Sequence, residues 1–246
     1  MNELNLNFIL QKKKIENNIA YIKANLSKIK QPIFIELVGT PKSGKTTLVK
    51  HLESLFNKND ISIAKRRETA EYNPIDNKEL EEYNIWMIME LMKNISEDLS
   101  NNEPRIVLYD RGILDRAPWL DLSVESGTFP QKDATLVKYL YKSDFLQKYN
   151  PITYGFLTSP ELSVKRKGKP GRSVNIKSIG EFNKHFELNQ QFFKDMSSTY
   201  NLIETDKYQD RLNQFIADTV ENITLDVKSL IEEKIKKQEY EEREVI

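Results

Sequence analysis

Gly39-Thr40-Pro41-Lys42-Ser43-Gly44-Lys45-Thr46-Thr47 is the most specific motif in the chain. A mostly apolar run at residues 33–38 precedes it, and an amphipathic run begins at Leu48. The stretch fits the phosphate-binding loop pattern G-x-x-x-x-G-K-[ST], in which backbone N–H groups curl around phosphate oxygens and the following helix presents the positive end of its dipole. Since the motif requires a strand before it and a helix after it, the context agrees with the pattern. The sequence therefore predicts a site for a nucleoside triphosphate.

Several residues of this loop are expected to bind the triphosphate. By the pattern, Lys45 reaches the β- and γ-phosphates, and Thr46 offers its hydroxyl group to Mg²⁺. The other loop residues that we expect to contact the nucleotide are Gly39, Lys42, Ser43, Gly44 and Thr47. The expected cofactors are ATP, or another nucleoside triphosphate, and Mg²⁺.

Composition excludes several other classes of protein. A chain of 246 residues is long enough for one α/β domain with helical extensions. Its 37 basic and 37 acidic residues cancel, so global charge favours neither a nucleic-acid nor a membrane partner. The absence of cysteine excludes disulfides, thiolate metal sites and cysteine nucleophiles. No signal-peptide core or membrane-spanning run is found, so the predicted location is cytoplasmic.

Short apolar runs alternate with helical patterns along the chain. The predicted strands cover residues 33–38, 61–64, 106–109, 152–157 and 201–206. A continuous apolar run such as 106–109 indicates a strand that is covered on both faces, as in a parallel sheet. The alternation implies right-handed crossovers. The predicted fold class is therefore α/β, a three-layer P-loop NTPase fold with a five-stranded parallel sheet, helices on both faces, and helical extensions at both termini.

Both ends of the chain are predicted to be helical. Residues 1–31 form an N-terminal extension with heptad-like apolar spacing, and Pro32 separates it from a domain that covers residues 32–246. We favour a helix docked on the body, and a homodimer through the terminal helices is the alternative. Within the domain, the basic and glycine-bearing segment near 165–178 is expected to be a mobile lid. A long C-terminal helix is expected from about Gln209.

Capping signals and periodicity predict three further helices. These cover residues 76–100, 133–147 and 178–198. Asp76 and Glu79 have capping-box spacing at the start of the first of them. Its core side is expected to include Ile85, Ile88, Met89, Met92 and Ile95.

Charged residues gather where the predicted strands end, which is where ligands bind in an open parallel sheet. In these stretches the chain resembles the P-loop nucleoside and nucleotide kinases, specifically the deoxynucleoside kinase and thymidylate kinase group. The matching pieces are GTPKSGKTT at 39–47, RRETAEYNP at 66–74, LYDRG at 108–112, SPELSVKRKGKPGRS at 159–173 and ETDKY at 204–208. The resemblance covers roughly residues 33–220 in order.

The resemblance implies catalytic roles for these pieces. Asp110 and Arg111 would face the acceptor and the metal. Arg166 and Arg172 in the lid would neutralise charge on the transferring phosphoryl group, and a solvated basic loop is the alternative for both. Asp206, in the last matching piece, would lie at the bound nucleotide.

The acceptor side is expected to centre on Glu68. Because a hydroxyl acceptor must lose a proton, it benefits from a positioned carboxylate. We interpret Glu68 as that base and Asp110 as a magnesium ligand, while an ion pair with Arg66 or Arg67 is the alternative for Glu68. The residues expected to bind the substrate are Glu68, Tyr83, Trp86, Arg111 and Trp119. Core packing is the alternative for the two tryptophans.

Two departures from the family pattern leave the acceptor open. The strand-one glutamate of deoxynucleoside kinases directly precedes the first loop glycine, whereas Glu36 stands two residues earlier. Where the relatives have Glu-Arg-Ser or Asp-Arg-Tyr, this chain has Asp-Arg followed by Gly112. The sequence predicts transfer to a nucleoside or nucleoside monophosphate. Other small metabolites such as a nicotinamide riboside, nucleic-acid ends, a GTP-dependent switch and a non-catalytic regulator are the alternatives.

Overall fold

The computed structural model of the protein describes residues 3–101, 103, 105–166, 176–209 and 211–244. In these residues the strands form one parallel sheet with the order β2-β3-β1-β4-β5. The strands are β1 (Ile33–Gly39), β2 (Ile63–Arg66), β3 (Ile106–Asp110), β4 (Ile152–Leu157) and β5 (Thr199–Glu204). The central strand, β1, therefore leads directly into the phosphate-binding loop.

Helices connect the strands and extend the chain at both ends. They are α1 (Glu3–Asn25), α2 (Lys45–Lys58), α3 (Glu81–Ser100), α4 (Arg116–Glu125), α5 (Gln131–Tyr141), α6 (Asp144–Tyr149), α7 (Pro160–Arg166), α8 (Ile176–Leu188), α9 (Gln190–Asp195) and α10 (Leu212–Glu244). None of those helices, as far as the structure describes them, is long and apolar enough to cross a bilayer.

The side chains of β1 divide the interior into two cores, because successive residues of a strand point to opposite faces of the sheet. Ile35 and Leu37 pack in the core formed with α1, α2 and α10. Phe34 and Val38 pack in the core formed with α3 to α6, α8 and α9. The sheet is thus covered on both faces, which confirms the predicted three-layer α/β class.

The N-terminal helix α1 packs along α10. Gln11 Nε2 donates to Asp218 Oδ1 at 2.8 Å, and Asn18 Nδ2 donates to Thr224 Oγ1 at 3.3 Å. Ile22 of α1 is fully buried in the same core as β1. The apolar stripe of α1 is therefore occupied within the chain, as the docked-helix interpretation expects, and the homodimer through the terminal helices stays a prediction.

The start of α3 and part of its buried face differ from the prediction. The helix begins at Glu81, and Asn77 Oδ1 accepts the backbone N–H of Glu79 at 3.0 Å, so the predicted capping segment forms a turn instead. Of the residues predicted for the core, Ile88, Met92 and Ile95 do pack there, whereas Ile85 and Met89 are 43% and 61% exposed. The buried face also carries polar residues, Asn84, Asn94 and Asp98, which a pattern based on hydrophobicity assigns to the solvent.

Two other predicted helices are each broken in two. The side chain of Ser143 accepts the N–H of Leu146 and caps α6, which separates α6 from α5. Asn189 separates α8 from α9, and its amide group donates to Asp121 Oδ2 at 2.7 Å. No local pattern predicts α4, whose first residue follows Asp115. The middle of the predicted lid, residues 167–175, lies outside the described residues.

A buried carboxylate joins α3 to the edge of the sheet. Asp98 is fully buried and accepts two hydrogen bonds of 2.9 Å from Arg66 on β2. It also accepts from Arg105 at 2.7 Å and from the hydroxyl group of Tyr109 on β3 at 2.8 Å. A buried charge is tolerated only when donors of this kind surround it. Asp98 therefore fixes α3 against the two outer strands on that side.

We expect Asp98→Ala to lower the free energy of unfolding by about 3 kcal/mol, because the substitution leaves buried donors without their acceptor. Glu97→Ala is the matched control, since Glu97 is an exposed neighbour whose ion pair with Arg66 is 3.4 Å long. We expect that control to change stability by at most about 1 kcal/mol. Urea unfolding measures both, and equal losses in the two variants would contradict the role given to Asp98.

Candidate active site

The phosphate-binding loop holds its lysine against its own backbone. Lys45 is buried, and its Nζ atom donates to the carbonyl groups of Gly39 and Thr40 at 2.9 and 2.7 Å and to Ser43 Oγ at 3.1 Å. Burial, together with the nearby positive charge of Arg111, lowers the pKa of Lys45 to about 7. A phosphate group beside this ammonium would favour its charged form.

The loop turns into α2 at Gly44, whose backbone is left-handed with a φ of 101°. A Cβ atom at this position would lie 3.1 Å from Cε1 of Phe215 on α10. The ring of Phe215 therefore packs directly behind the loop, and glycine is required at 44 both by the backbone conformation and by this contact.

Thr46 and Asp110 form the pair that could hold a metal ion. Thr46 Oγ1 donates to Asp110 Oδ2 at 2.8 Å, while Oδ1 of Asp110 is buried and has no hydrogen-bond partner among the described residues. No group of three or more histidine, cysteine or acidic side chains that could hold a metal occurs in the described part of the chain. A hydroxyl and one carboxylate nevertheless suit Mg²⁺, which takes its remaining ligands from water and substrate phosphates. The residues present fit that ion.

Arg111 and Asp115 lie in the turn that follows β3. The backbone of Arg111 is left-handed, with a φ of 62°, and its N–H donates to the carbonyl group of Leu37 at 3.1 Å. Its guanidinium donates from Nη1 to Asp115 Oδ2 at 2.7 Å, and Nε lies 3.3 Å from Glu68 Oε1. Glu68 thus pairs with Arg111, whereas Arg66 and Arg67 pair with other carboxylates.

Asp115 connects this turn to the phosphate-binding loop. It is fully buried, and its Oδ1 accepts the backbone N–H of Gly39 at 2.7 Å. Burial alone would raise the pKa of Asp115, but the charges of Arg111 and Arg116 hold it below its usual value. Asp115 is therefore an anion that touches both the loop and Arg111. The sequence reasoning assigned it no role, although the repeated Asp-Arg pair in 110–116 was a visible signal.

A cavity of about 1120 Å³ opens beside the loop. Its wall includes loop residues Lys42 to Thr47 together with Glu68, Tyr83, Arg111, Trp119 and Arg166. Residues that the sequence reasoning missed also line it, namely Asn84, Arg116, Ser123 and Tyr208. The structure therefore brings most of the predicted site residues, from five separate stretches of sequence, to a single cavity.

Of the other predicted site residues that the structure describes, Gly39 and Asp110 make the contacts given above but do not line the cavity, and Trp86 and Asp206 lie elsewhere. Trp86 packs edge-on against Tyr72, with ring centroids 5.7 Å apart, and does not line the cavity. Asp206 Oδ1 accepts the backbone N–H of Ser159 at 2.9 Å, and its neighbour Thr205 lines the cavity in its place. Arg166 Nη1 donates to Thr205 Oγ1 at 3.2 Å. Arg172 lies outside the described residues, so its predicted role stays a prediction.

Two residues of the cavity wall, Arg116 and Trp119, are hydrogen-bonded to Asp115. Arg116 Nη2 and Trp119 Nε1 donate to Asp115 Oδ2 at 3.5 and 3.2 Å. The indole ring of Trp119 packs on Phe182 of α8 with centroids 4.5 Å apart. Nε of Arg116 is buried without a hydrogen-bond partner among the described residues. The guanidinium of Arg116 therefore has one N–H donor that a ligand can use.

A second carboxyl group lies beneath the same turn. Glu36 on β1 is fully buried, and burial is the main reason that its pKa is raised to about 8. Hydrogen bonds from Tyr149 and from the backbone of residues 114 and 115 oppose this shift, and the negative charge of Asp115 adds to it. Glu36 therefore takes up its proton far more readily in the folded chain than in the unfolded chain.

Comparison with known proteins places the fold. No family model matches the chain, and no curated protein matches it in sequence. Solved structures do match, among them the deoxyadenosine kinase from M. mycoides with bound dATP, at 18% identity and a TM-score of 0.53 over 74% of this chain and 97% of that one. The same enzyme with bound dCTP matches at 20% identity and a TM-score of 0.52, over 76% of this chain and 100% of that one. The chain has the fold of these P-loop deoxynucleoside kinases.

The raised pKa of Glu36 predicts a pH dependence of stability. The folded-state pKa lies above the unfolded value, so the stability that protonation contributes is complete below about pH 4.5 and is lost as pH rises to about 8. Relative to Glu36→Gln, which cannot ionise, the wild-type free energy of unfolding should fall over this range by at most about 1.4 kcal/mol per pH unit. Urea unfolding at several pH values measures it, and a constant difference between the two proteins would contradict the prediction.

Proposed function

We propose that the protein is an ATP- and Mg²⁺-dependent kinase that transfers the γ-phosphoryl group of its donor to a hydroxyl group of a nucleoside. The single observation that carries this proposal is that one cavity is lined both by the phosphate-binding loop and by the Glu68–Arg111 pair. A triphosphate donor and a small acceptor can meet there without a further protein domain.

The donor is held by the loop and its neighbours. The β- and γ-phosphates of the donor would replace the loop carbonyl groups as hydrogen-bond acceptors of Lys45 Nζ. Thr46 and Asp110 would hold Mg²⁺, which when bound supplies positive charge to offset the negative charge of the donor phosphates. Arg166 would add positive charge from the lid, as would Arg172.

The acceptor is held at Glu68 and Arg111. A hydroxyl group must give up its proton as it attacks phosphorus, and Glu68 lines the cavity beside Arg111 with a side chain that is 28% exposed, so it can turn toward that proton. Arg111 holds that carboxylate and lies where it can neutralise the charge that builds up on the transferring group. Tyr83 and Trp119 supply flat rings against which a nucleobase can pack.

The comparisons support a nucleoside as the acceptor class. The structural neighbours are deoxyadenosine kinases whose structures hold dATP, dCTP, or the products dCMP and dCDP. This chain shares their fold. Its phosphate-binding loop and its Asp110-Arg111 pair lie at the ends of two neighbouring strands of the parallel sheet.

One observation favours a second candidate, a nucleoside monophosphate as acceptor. An anionic acceptor needs cationic clamps rather than a base. Arg116 lines the cavity and has the buried Nε donor described above. The acceptor assay separates the two candidates.

We expect the purified protein to transfer phosphate from ATP·Mg²⁺ to nucleosides, with Lys45→Ala as the inactive control. The acceptors to compare are nucleosides, nucleoside monophosphates, a nicotinamide riboside and oligonucleotides with free 5′-hydroxyl groups, and the products are separated by chromatography. Transfer only to monophosphates would establish the second candidate. Slow hydrolysis without transfer to any acceptor, or a preference for GTP with the same result, would contradict the kinase proposal and favour a switch or a regulator.

We expect Glu68→Gln to lower kcat by about 10²- to 10⁴-fold, because the amide cannot accept the proton of the acceptor. The affinity for Mg·ADP should stay close to that of the wild type. Glu71→Gln is the matched control, since this neighbouring carboxylate is exposed and pairs with Arg67 at 3.7 Å. Undiminished turnover in Glu68→Gln would assign the base role elsewhere.

A further inference from the structure

Glu36 occupies an unusual position for a carboxyl group. It lies in the middle of the central strand, three residues before the phosphate-binding loop, and it has no exposed surface. The carboxyl group is satisfied by three donors. Oε1 accepts the backbone N–H groups of Leu114 and Asp115 at 2.7 and 3.2 Å, and Oε2 accepts the hydroxyl group of Tyr149 at 2.8 Å.

The two backbone contacts make Glu36 part of the turn that follows β3. Since Arg111 is held in a left-handed conformation, this turn needs outside contacts to keep its shape. One comes from the carbonyl group of Leu37, and the other two come from the carboxyl group of Glu36. Two adjacent residues of the central strand thus hold the turn at both of its ends.

Gly112 provides the space for this carboxyl group. A Cβ atom at Gly112 would lie 2.6 and 2.7 Å from the two oxygens of Glu36, closer than such contacts occur. A side chain at 112 and a carboxyl group at 36 therefore exclude each other. Glu36 and Gly112 are the two positions at which the chain departs from the family pattern. Since a side chain at 112 would collide with the carboxyl group at 36, these two departures depend on each other.

The turn carries the groups that the site needs. The N–H of Asp115 bonds to Glu36, and its side chain bonds to the N–H of Gly39 in the loop and to the guanidinium of Arg111. A shift of the turn would therefore move the loop and Arg111 together. Displacements of about 1 Å in such groups can cost about 10²-fold in rate.

We propose that Glu36 is a positioning residue of this site, which fixes the turn at 111–115 and, through Asp115, sets Arg111 and Gly39 in place, with Gly112 as its obligatory partner. The kinetic part of this inference rests on the proposed kinase function. The part that concerns the loop does not, because nucleotide binding reports on it directly.

The test is a double-mutant cycle on Glu36→Ala and Gly112→Ser. We expect each single variant to lower kcat by about 10²-fold. The double variant should be no worse than either single one, because the serine side chain enters the space that the carboxyl group has left. Glu36→Gln keeps an acceptor for both N–H groups and should retain kcat within about fivefold of the wild type.

A control separates positioning from loss of stability. Tyr154→Phe removes a partly buried hydrogen bond of 2.6 Å to Asp226, and neither residue lines the cavity. It should lower the melting temperature and leave kcat unchanged. Glu36→Ala with a similar loss of melting temperature and unchanged kcat would overturn the inference, and so would losses in Glu36→Ala and Gly112→Ser that multiply in the double variant.

Two further measurements cover the remaining outcomes. If Glu36→Ala does not fold, Gly112→Ser alone decides, since wild-type kcat in that variant would show that the turn tolerates displacement. If the wild type transfers phosphate to no acceptor, the proposed function fails, and the same cycle is measured as Mg·ADP affinity by titration calorimetry. We then expect losses of about tenfold in each single variant that do not multiply, and unchanged affinity would overturn the inference.

Discussion

The arrangement of the site depends on one buried charge. Asp115 has no contact with solvent, and a carboxylate in that setting stays ionised only when donors and positive charges surround it. Its donors are the N–H of Gly39 and the guanidinium of Arg111, each at 2.7 Å. Trp119 and Arg116 also donate to this carboxylate, at 3.2 and 3.5 Å. The two shortest bonds join the phosphate-binding loop and Arg111 to the same carboxylate, so a single side chain sets the distance between them.

The turn at residues 111–115 carries the buried carboxyl group of Asp115 and contacts that of Glu36. The surroundings shift the pKa values of these two groups in opposite directions. Guanidinium groups lower the pKa of Asp115, whereas burial raises that of Glu36, whose partners are backbone N–H groups and the hydroxyl group of Tyr149. Two neighbouring buried carboxylates would repel each other, and a protonated Glu36 removes that repulsion. The negative charge of Asp115 thus lies beside the phosphate-binding loop, where it pairs with Arg111. The neutral carboxyl group of Glu36 lies inside the sheet.

The sequence predicted what local patterns determine and missed what distant partners determine. The loop motif and the strand ends predicted that Thr46 and Asp110 lie together, and the structure joins them by a hydrogen bond of 2.8 Å, while their roles toward a nucleotide stay predictions. The buried face of α3 was predicted only in part, because its Asn84 and Asp98 bond to Ser123 and Arg66, which no local pattern reveals. Asp115 was overlooked for the same reason, since its contact with Gly39 joins residues 76 positions apart.

The phosphate-binding loop is held from both faces of the sheet, which gives the terminal helices a place in the site. On one face, Asp115 binds Gly39 at the start of the loop. On the other, the ring of Phe215 on α10 packs behind Gly44 at its end. The N-terminal helix α1 lies along α10 and shares its core, so it supports the element that carries Phe215. A helix that sequence alone describes as an extension is thus two contacts away from the phosphate-binding loop, since it packs on the helix whose Phe215 lies behind Gly44.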